Sequence, residues 1–211
     1  MDLEKIIAYE DEYLLVLDKP AGILVHPTVR ENGNTLYDWV KEYYQRHGLA
    51  EVPHPVSRLD RFTTGLVIFA KEGIVQGWLD KAGVDKEYLA VTDGMPPSIS
   101  GVIDAPIARK EGSIIERCVA KNGKRAVTEY QILKQGEHPL LLLKLLTGRT
   151  HQIRVHLAYV GCPVHGDGLY GNGKGQGRHL LHAWRLRFKH PVGGQMLEIT
   201  RKVPDDMLKF V

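Results

Sequence analysis

Five consecutive apolar residues, Leu66-Val67-Ile68-Phe69-Ala70, follow directly on Ser57-Arg58-Leu59-Asp60-Arg61-Phe62-Thr63-Thr64-Gly65. No other stretch constrains the chain as much. A short apolar run bounded by turn residues reads as a buried strand. The acid at its mouth, flanked by two arginines, would therefore be carried on a rigid element, as a catalytic group has to be. A structural ion pair or a turn cap is the alternative use of the same residues. Pro53 and Pro55 deliver the chain stiffly to this point. If residues 58–60 are extended, Arg58 and Asp60 point to one side and Arg61 to the other.

Around this strand the pattern predicts further short elements. Residues 4–9 and 13–18 read as two strands joined by an acidic turn, and Ile23-Leu24-Val25 as a short extended piece. Asn34 is the expected cap of a helix whose Leu36, Val40, Tyr43 and Tyr44 recur at helical spacing until Gly48. A short helix is expected over 74–82 and a strand over 86–91. Strands follow near 101–107, 114–119, 125–134 and 140–147, separated by polar turns such as Lys121-Asn122-Gly123-Lys124. Thr150 is the expected cap of a helix running from His151 to Gly161, and the last strands fall near 180–189 and 195–200. This pattern makes the chain an α+β protein with a predominantly antiparallel sheet and flanking helices. Without repeats or a composition break, residues 1–211 read as a single domain.

Charge and cysteine usage narrow the function classes. Residues 101–190 hold 15 Lys+Arg against 6 Asp+Glu, and the remainder holds 13 against 19. A basic block inside a nearly neutral chain is the electrostatic footprint expected for a polyanion, with solvated lysines as the alternative. No Walker sequence or G-x-G-x-x-G after a strand is present, so no nucleotide cofactor is expected. Residues 171–178 lack the Lys-Ser/Thr ending of a phosphate loop and read as a basic loop. Cys118 and Cys162 are spaced neither as a metal knuckle nor as a redox pair, which suits a reducing cytoplasm. The acidic N-terminus is unlike a signal peptide, and Lys144 interrupts the longest leucine run, so no membrane association is expected. His151 and His156 are five apart, the wrong spacing for two ligands on one helical face, and no metal is expected there.

Four segments together resemble the RluA family of RNA pseudouridine synthases. Asp18-Lys19-Pro20-Ala21-Gly22 with Val25-His26-Pro27 is similar to the family's N-terminal strand and turn, and Arg58 to Gly65 to its catalytic motif. Lys86-Glu87-Tyr88-Leu89-Ala90 looks like its second motif. The fullest match is Thr147-Gly148-Arg149-Thr150-His151-Gln152-Ile153-Arg154-Val155-His156 with Gly161, Pro163, Gly166-Asp167 and Tyr170-Gly171. Gly123-Lys124 with Ala126 and Thr128-Glu129-Tyr130, and Leu181-His182-Ala183, resemble weaker signatures. Two positions depart from the family pattern, which has His where this chain has Ser57 and Ser where it has Thr64. The S4 RNA-binding module of many relatives is not expected, because the catalytic fold begins at the first residues.

The resemblance implies a long bent sheet with a central catalytic cleft, and isomerisation of a uridine in structured rRNA or tRNA. The bond from uridine N1 to ribose C1′ breaks, the base turns, and it rejoins through C5, after the nucleotide has been flipped from its stack. Such a reaction transfers no electrons or phosphate, consistent with the lack of any cofactor motif. By resemblance Asp60 is the essential acid, open to acylal, Michael-adduct and glycal routes. Arg154 pairs with it, and the ring of Tyr88 stacks on the extruded uracil. Arg58, Arg61, Thr63, Thr64, Arg149, His151, Gln152 and Ile153 are the implied substrate-binding residues, with Arg58 filling the gap in the RNA stack. A monomer is the default expectation. The main competing reading is a non-catalytic RNA-binding or ribosome-assembly protein on the same fold; an unrelated hydrolase using Asp60 with His151 is a further one.

Overall fold

A computed structural model describes residues 3–28, 33–49, 52–171 and 177–210. A 3-10 turn, Leu3–Ile6, opens the chain. It leads into β1 (Ile7–Glu10), β2 (Leu14–Lys19), α1 (Leu36–Arg46), β3 (His54–Pro55), β4 (Thr64–Ala70), α2 (Gly73–Ala82) and β5 (Asp85–Val91). Then come β6 (Ser100–Asp104), β7 (Ile107–Arg109), β8 (Arg117–Val119), β9 (Val127–Lys134), β10 (Leu140–Leu145), α3 (Gln152–Tyr159), β11 (Leu181–Lys189), β12 (Met196–Thr200) and α4 (Asp205–Leu208). The sheet is large and mostly antiparallel with few helices, as the sequence pattern implied.

The chain divides into two compact units, each assembled from two stretches. Because neither unit is continuous in sequence, no linker-like break in composition marks the division. The first takes Met1–Val84 and Ala183–Lys202, the second Asp85–His182 and Val203–Val211.

In the first unit the strands run in the order β1-β2-β4-β11, with β12 paired to β11 and β3 to β4. β2 and β4 are antiparallel in a register that sets Leu14 against Ala70 and Lys19 against Gly65. Leu14, Val16, Leu66, Ile68 and Ala70 of this pair form a core with Val75, Leu79, Leu186, Phe188 and Ile199. Each fully buried Leu or Ile side chain is worth about 1.5–3 kcal/mol, so the core anchors whatever precedes β4. In the second unit the order is β5-β10-β9-β6, all neighbours antiparallel, with β7 and β8 forming a separate hairpin.

Several local expectations are corrected. Residues 4–6 belong to the 3-10 turn rather than to a strand. Ile23-Leu24-Val25 joins no sheet; its Leu24 and Val25 carbonyls accept from the first N–H groups of α1, at Leu36 and Tyr37. The cap of α1 is Thr35, not Asn34. Asp38, three residues on, closes a capping box with Thr35, and Asn34 has no such partner. The strand expected over 101–107 is cut at Ala105-Pro106, where proline offers no N–H to a ladder. α3 begins one residue later than Thr150 would cap it, because His151 is left-handed with φ 58°.

Candidate active site

In the first unit, β4 and the turn before it carry Arg58, Asp60, Arg61, Thr63 and Thr64. Arg58 is exposed, Asp60, Arg61 and Thr64 are partly buried, and Thr63 is buried. The Thr63 N–H donates to the Asp60 carbonyl at 3.1 Å, closing the turn. The main anchor is Lys19, wholly buried at the end of β2. Its Nζ donates to the carbonyls of Pro20, Ile23 and Arg61, each at 2.9 Å. The Gly22 N–H donates to the same Arg61 carbonyl at 2.9 Å. One buried ammonium thus binds the 20–23 turn to the residue after Asp60. Gly65, at φ 107°, fixes the other side: a Cβ there would lie 2.3 Å from the Ala183 carbonyl oxygen. The left-handed conformation and the close backbone approach both require glycine.

In the second unit Tyr88 is buried on β5, opposite Leu143 of β10. Arg154 is buried on α3 among Ile153, Val155 and Leu157. Its Nε and Nη2 donate to the two carboxylate oxygens of Asp167 at 2.7 and 2.8 Å. The guanidinium carbon also sits 5.0 Å from the centre of the Tyr170 ring. Tyr170 is fixed in turn, its hydroxyl accepting from the Arg117 N–H at 2.9 Å and bonded to His151 Nδ1 at 2.7 Å. Burial alone would push the Asp167 carboxyl up. The hydrogen bonds and charge of Arg154, with the Leu169 N–H, outweigh it and hold the carboxyl below its ordinary value.

In the sequence Asp167 and Tyr170 are letters of a motif to which the resemblance attaches no role. A signal for Asp167 was present: an arginine set in an apolar helix needs a carboxylate, and residues 101–190 offer only six acids. Gln152 is buried, and its amide is saturated within the protein. Its Nε2 donates to the Val127 carbonyl and Thr128 Oγ1, while its Oε1 accepts from Thr147 Oγ1 and the Arg149 N–H. Ile153 is buried as well, whereas Arg149 is exposed, its Nε donating to the Arg125 carbonyl at 3.0 Å. Arg109, Lys110, Lys121, Lys124, Arg125 and Arg149 make an exposed basic set in this unit. Of residues 171–178, positions 172–176 lie outside the described residues.

His156 has both ring nitrogens engaged, Nδ1 with Thr128 Oγ1 and Nε2 with the Ala105 carbonyl, each at 2.9 Å. It is a packing residue. Among the described residues no helix is long and apolar enough to cross a membrane.

Known proteins resemble this chain over most of its length. The sequence model of a family described as RNA pseudouridylate synthase matches residues 13–159. The chain is 36% identical to the uncharacterized RNA pseudouridine synthase YjbO of Bacillus subtilis, covering 97% of this chain and 75% of that one. It is 39% identical to ribosomal large subunit pseudouridine synthase D of Vibrio cholerae, covering 99% and 70%. The structure of human RNA pseudouridylate synthase domain containing 4 superposes with a TM-score of 0.79 at 26% identity, over 97% of this chain and 90% of that one. The motifs, the fold and these likenesses agree: the chain belongs to the RluA-type family of RNA pseudouridine synthases, isomerases that act on uridine in RNA.

Proposed function

We propose that the chain converts a specific uridine of rRNA or tRNA to pseudouridine, with Asp60 as the essential acid and Tyr88 and Arg154 acting on the same uridine. The observation that carries this is Arg154 itself. A buried guanidinium, bound at both ends of a carboxylate and stacked on a ring, is an oriented cation in a site with little water, which a plain RNA-binding surface does not need. In this reading Tyr88 stacks on the extruded uracil and Ile153 walls the pocket. Arg58, Arg61, Thr63, Thr64, Arg149 and His151 contact the nucleotide and its flanking phosphates. The exposed arginines and lysines of 105–125 grip the backbone. Gln152, with its amide already saturated, acts by positioning Arg149 and Thr147. The likeness to a large-subunit enzyme favours rRNA as the first substrate to test. We place the protein in the cytoplasm as a monomer.

The test is release of the C5 label from uridine-tritiated RNA. Wild-type protein should release label from rRNA or tRNA, while Asp60→Ala and Asp60→Asn bind RNA with little loss and release none. No release by wild type from either RNA would leave the non-catalytic binding reading in place. Turnover retained in both variants would move the acid elsewhere.

A further inference from the structure

The second unit holds another cluster of ionisable side chains, which the uridine chemistry above does not use. Asp93 follows β5, His138 lies between β9 and β10, and His165 follows α3. Asp93 Oδ1 stands 2.6 Å from His165 Nδ1 and 3.1 Å from His138 Nδ1. The His138 nitrogen is closed to solvent but lies off the line of a hydrogen bond. An inward-facing ring nitrogen next to a carboxylate, with no hydrogen bond to it, is a polar atom in want of a partner. The three donor atoms all lie within 4.8 Å of one another.

The main chain holds these residues in place through the end of β5. Thr92, fully buried, donates its N–H to the Pro139 carbonyl at 3.1 Å and bridges Val164. The Asp93 N–H reaches the Pro163 carbonyl and the His165 N–H the Val91 carbonyl, both at 2.8 Å. Each of the three side chains therefore sits at or beside a residue tied to one strand end. Phe210 covers the pair of imidazoles, its ring 5.4 Å from that of His138 and 5.2 Å from that of His165.

We propose that Asp93, His138 and His165 form a binding site for a divalent transition-metal ion of the zinc class. Two imidazoles and one carboxylate suit zinc, cobalt or nickel, whereas calcium and magnesium take oxygen shells. Zinc bonds of about 2.0–2.2 Å in a tetrahedron put donor atoms about 3.3–3.5 Å apart. The two separations from Asp93, 2.6 and 3.1 Å, lie within about 1 Å of that spacing, and the third, at most 4.8 Å, within about 1.5 Å, so side-chain rotations can bring all three to it. Binding requires both rings to carry their proton on Nε2 and turn the Nδ1 lone pair inward. The side chains are about 30% exposed, leaving a fourth position for water. A metal here would tie together three loops and the cover supplied by Phe210.

The experiment titrates the full chain, stripped of metal by chelator, with Co2+ followed by absorbance and with Zn2+ followed by calorimetry. One equivalent of Co2+ should bind with ligand-field bands, and Zn2+ should displace it. His138→Gln, His165→Gln and Asp93→Asn should each weaken binding by more than about tenfold. His47→Gln, at an exposed histidine of the first unit, should bind as wild type. Paramagnetic shifts in wild-type protein need no substitution, and should fall on the His138 and His165 rings. The proposal is overturned if wild type binds no stoichiometric ion, if the shifts fall on other histidines, or if folded His138 and His165 variants bind unchanged.

Discussion

The two units hold their candidate site residues by different means. In the first, the turn bearing Asp60 is fixed by main chain: three carbonyls gathered by the buried Lys19 ammonium, and a glycine pressed against the Ala183 backbone. In the second, Arg154 is fixed by side chains, a bidentate carboxylate and an aromatic ring. It follows that the two tolerate change in different places. A loop anchored through carbonyls can vary its own side chains, which fits the departures at Ser57 and Thr64, provided Lys19 and Gly65 stay. A guanidinium anchored through side chains has no such freedom, since its orientation depends on the groups it touches.

Removing Asp167 is the strongest way to probe the second arrangement. Asp167→Ala takes the bidentate partner from a buried cation, and breaking such a pair costs about 3–5 kcal/mol. It also takes the acceptor used by the Leu169 and Tyr170 N–H groups. The expected outcome is a large fall in melting temperature, faster hydrogen exchange at those two amides, and turnover lost by a greater factor than RNA affinity. Unchanged turnover would mean that Arg154 does not depend on Asp167 for its orientation.

Lys19→Met probes the first. The chain keeps its length and apolar stem but leaves the Pro20, Ile23 and Arg61 carbonyls without their shared donor. Charge-assisted bonds of this kind are worth about 1.5–3 kcal/mol, and the variant also sheds the burden of a buried ammonium, so a net loss of about 2–3 kcal/mol is expected. Exchange should rise at the Gly22 and Thr63 amides while Leu169 and Tyr170 stay protected. Equal deprotection at both places would break the contrast between the units.

Much of this was legible in the sequence, and the reasons are physical. Period-two and apolar-run patterns located β2, β4, β5, β9 and β10, because burial of one or both faces leaves a record in residue order. The start of α1 is ambiguous by one residue in the sequence because Asn34 and Thr35 are both good caps, and only Asp38 decides between them. The left-handed His151 left no local trace, since a non-glycine residue at positive φ is held there by its surroundings. For the candidate site, Asp60 and Arg154 stand out in the sequence as letters of motifs. The roles of Lys19, Asp167 and Tyr170 do not, because each is defined by a partner 13 to 42 positions away or by a ring stacked on a guanidinium.

Acid acts more weakly, and on the helix that carries Arg154. His156 lies on α3 with no exposed surface, pinned to Thr128 and the Ala105 carbonyl. Burial lowers its pKa below the ordinary 6.5, with the Ala105 carbonyl and the Asp104 charge opposing. A histidine whose folded pKa is depressed takes up its proton more readily in the unfolded chain, so stability falls as pH drops below about 6.5. The loss for one such group is at most about 1.4 kcal/mol per pH unit. Asp167, held below its ordinary 3.8, adds its own loss only when pH falls further, through the carboxylate range. Melting temperatures at pH 7.5, 6.5 and 5.5 should therefore decline more steeply for wild type than for His156→Gln. Exchange at pH 5.5 should rise in α3 before it rises in the turn bearing Asp60. Parallel declines in both proteins would show that folding does not depress the pKa of His156, and that the helix carrying Arg154 gains no sensitivity to acid from this residue.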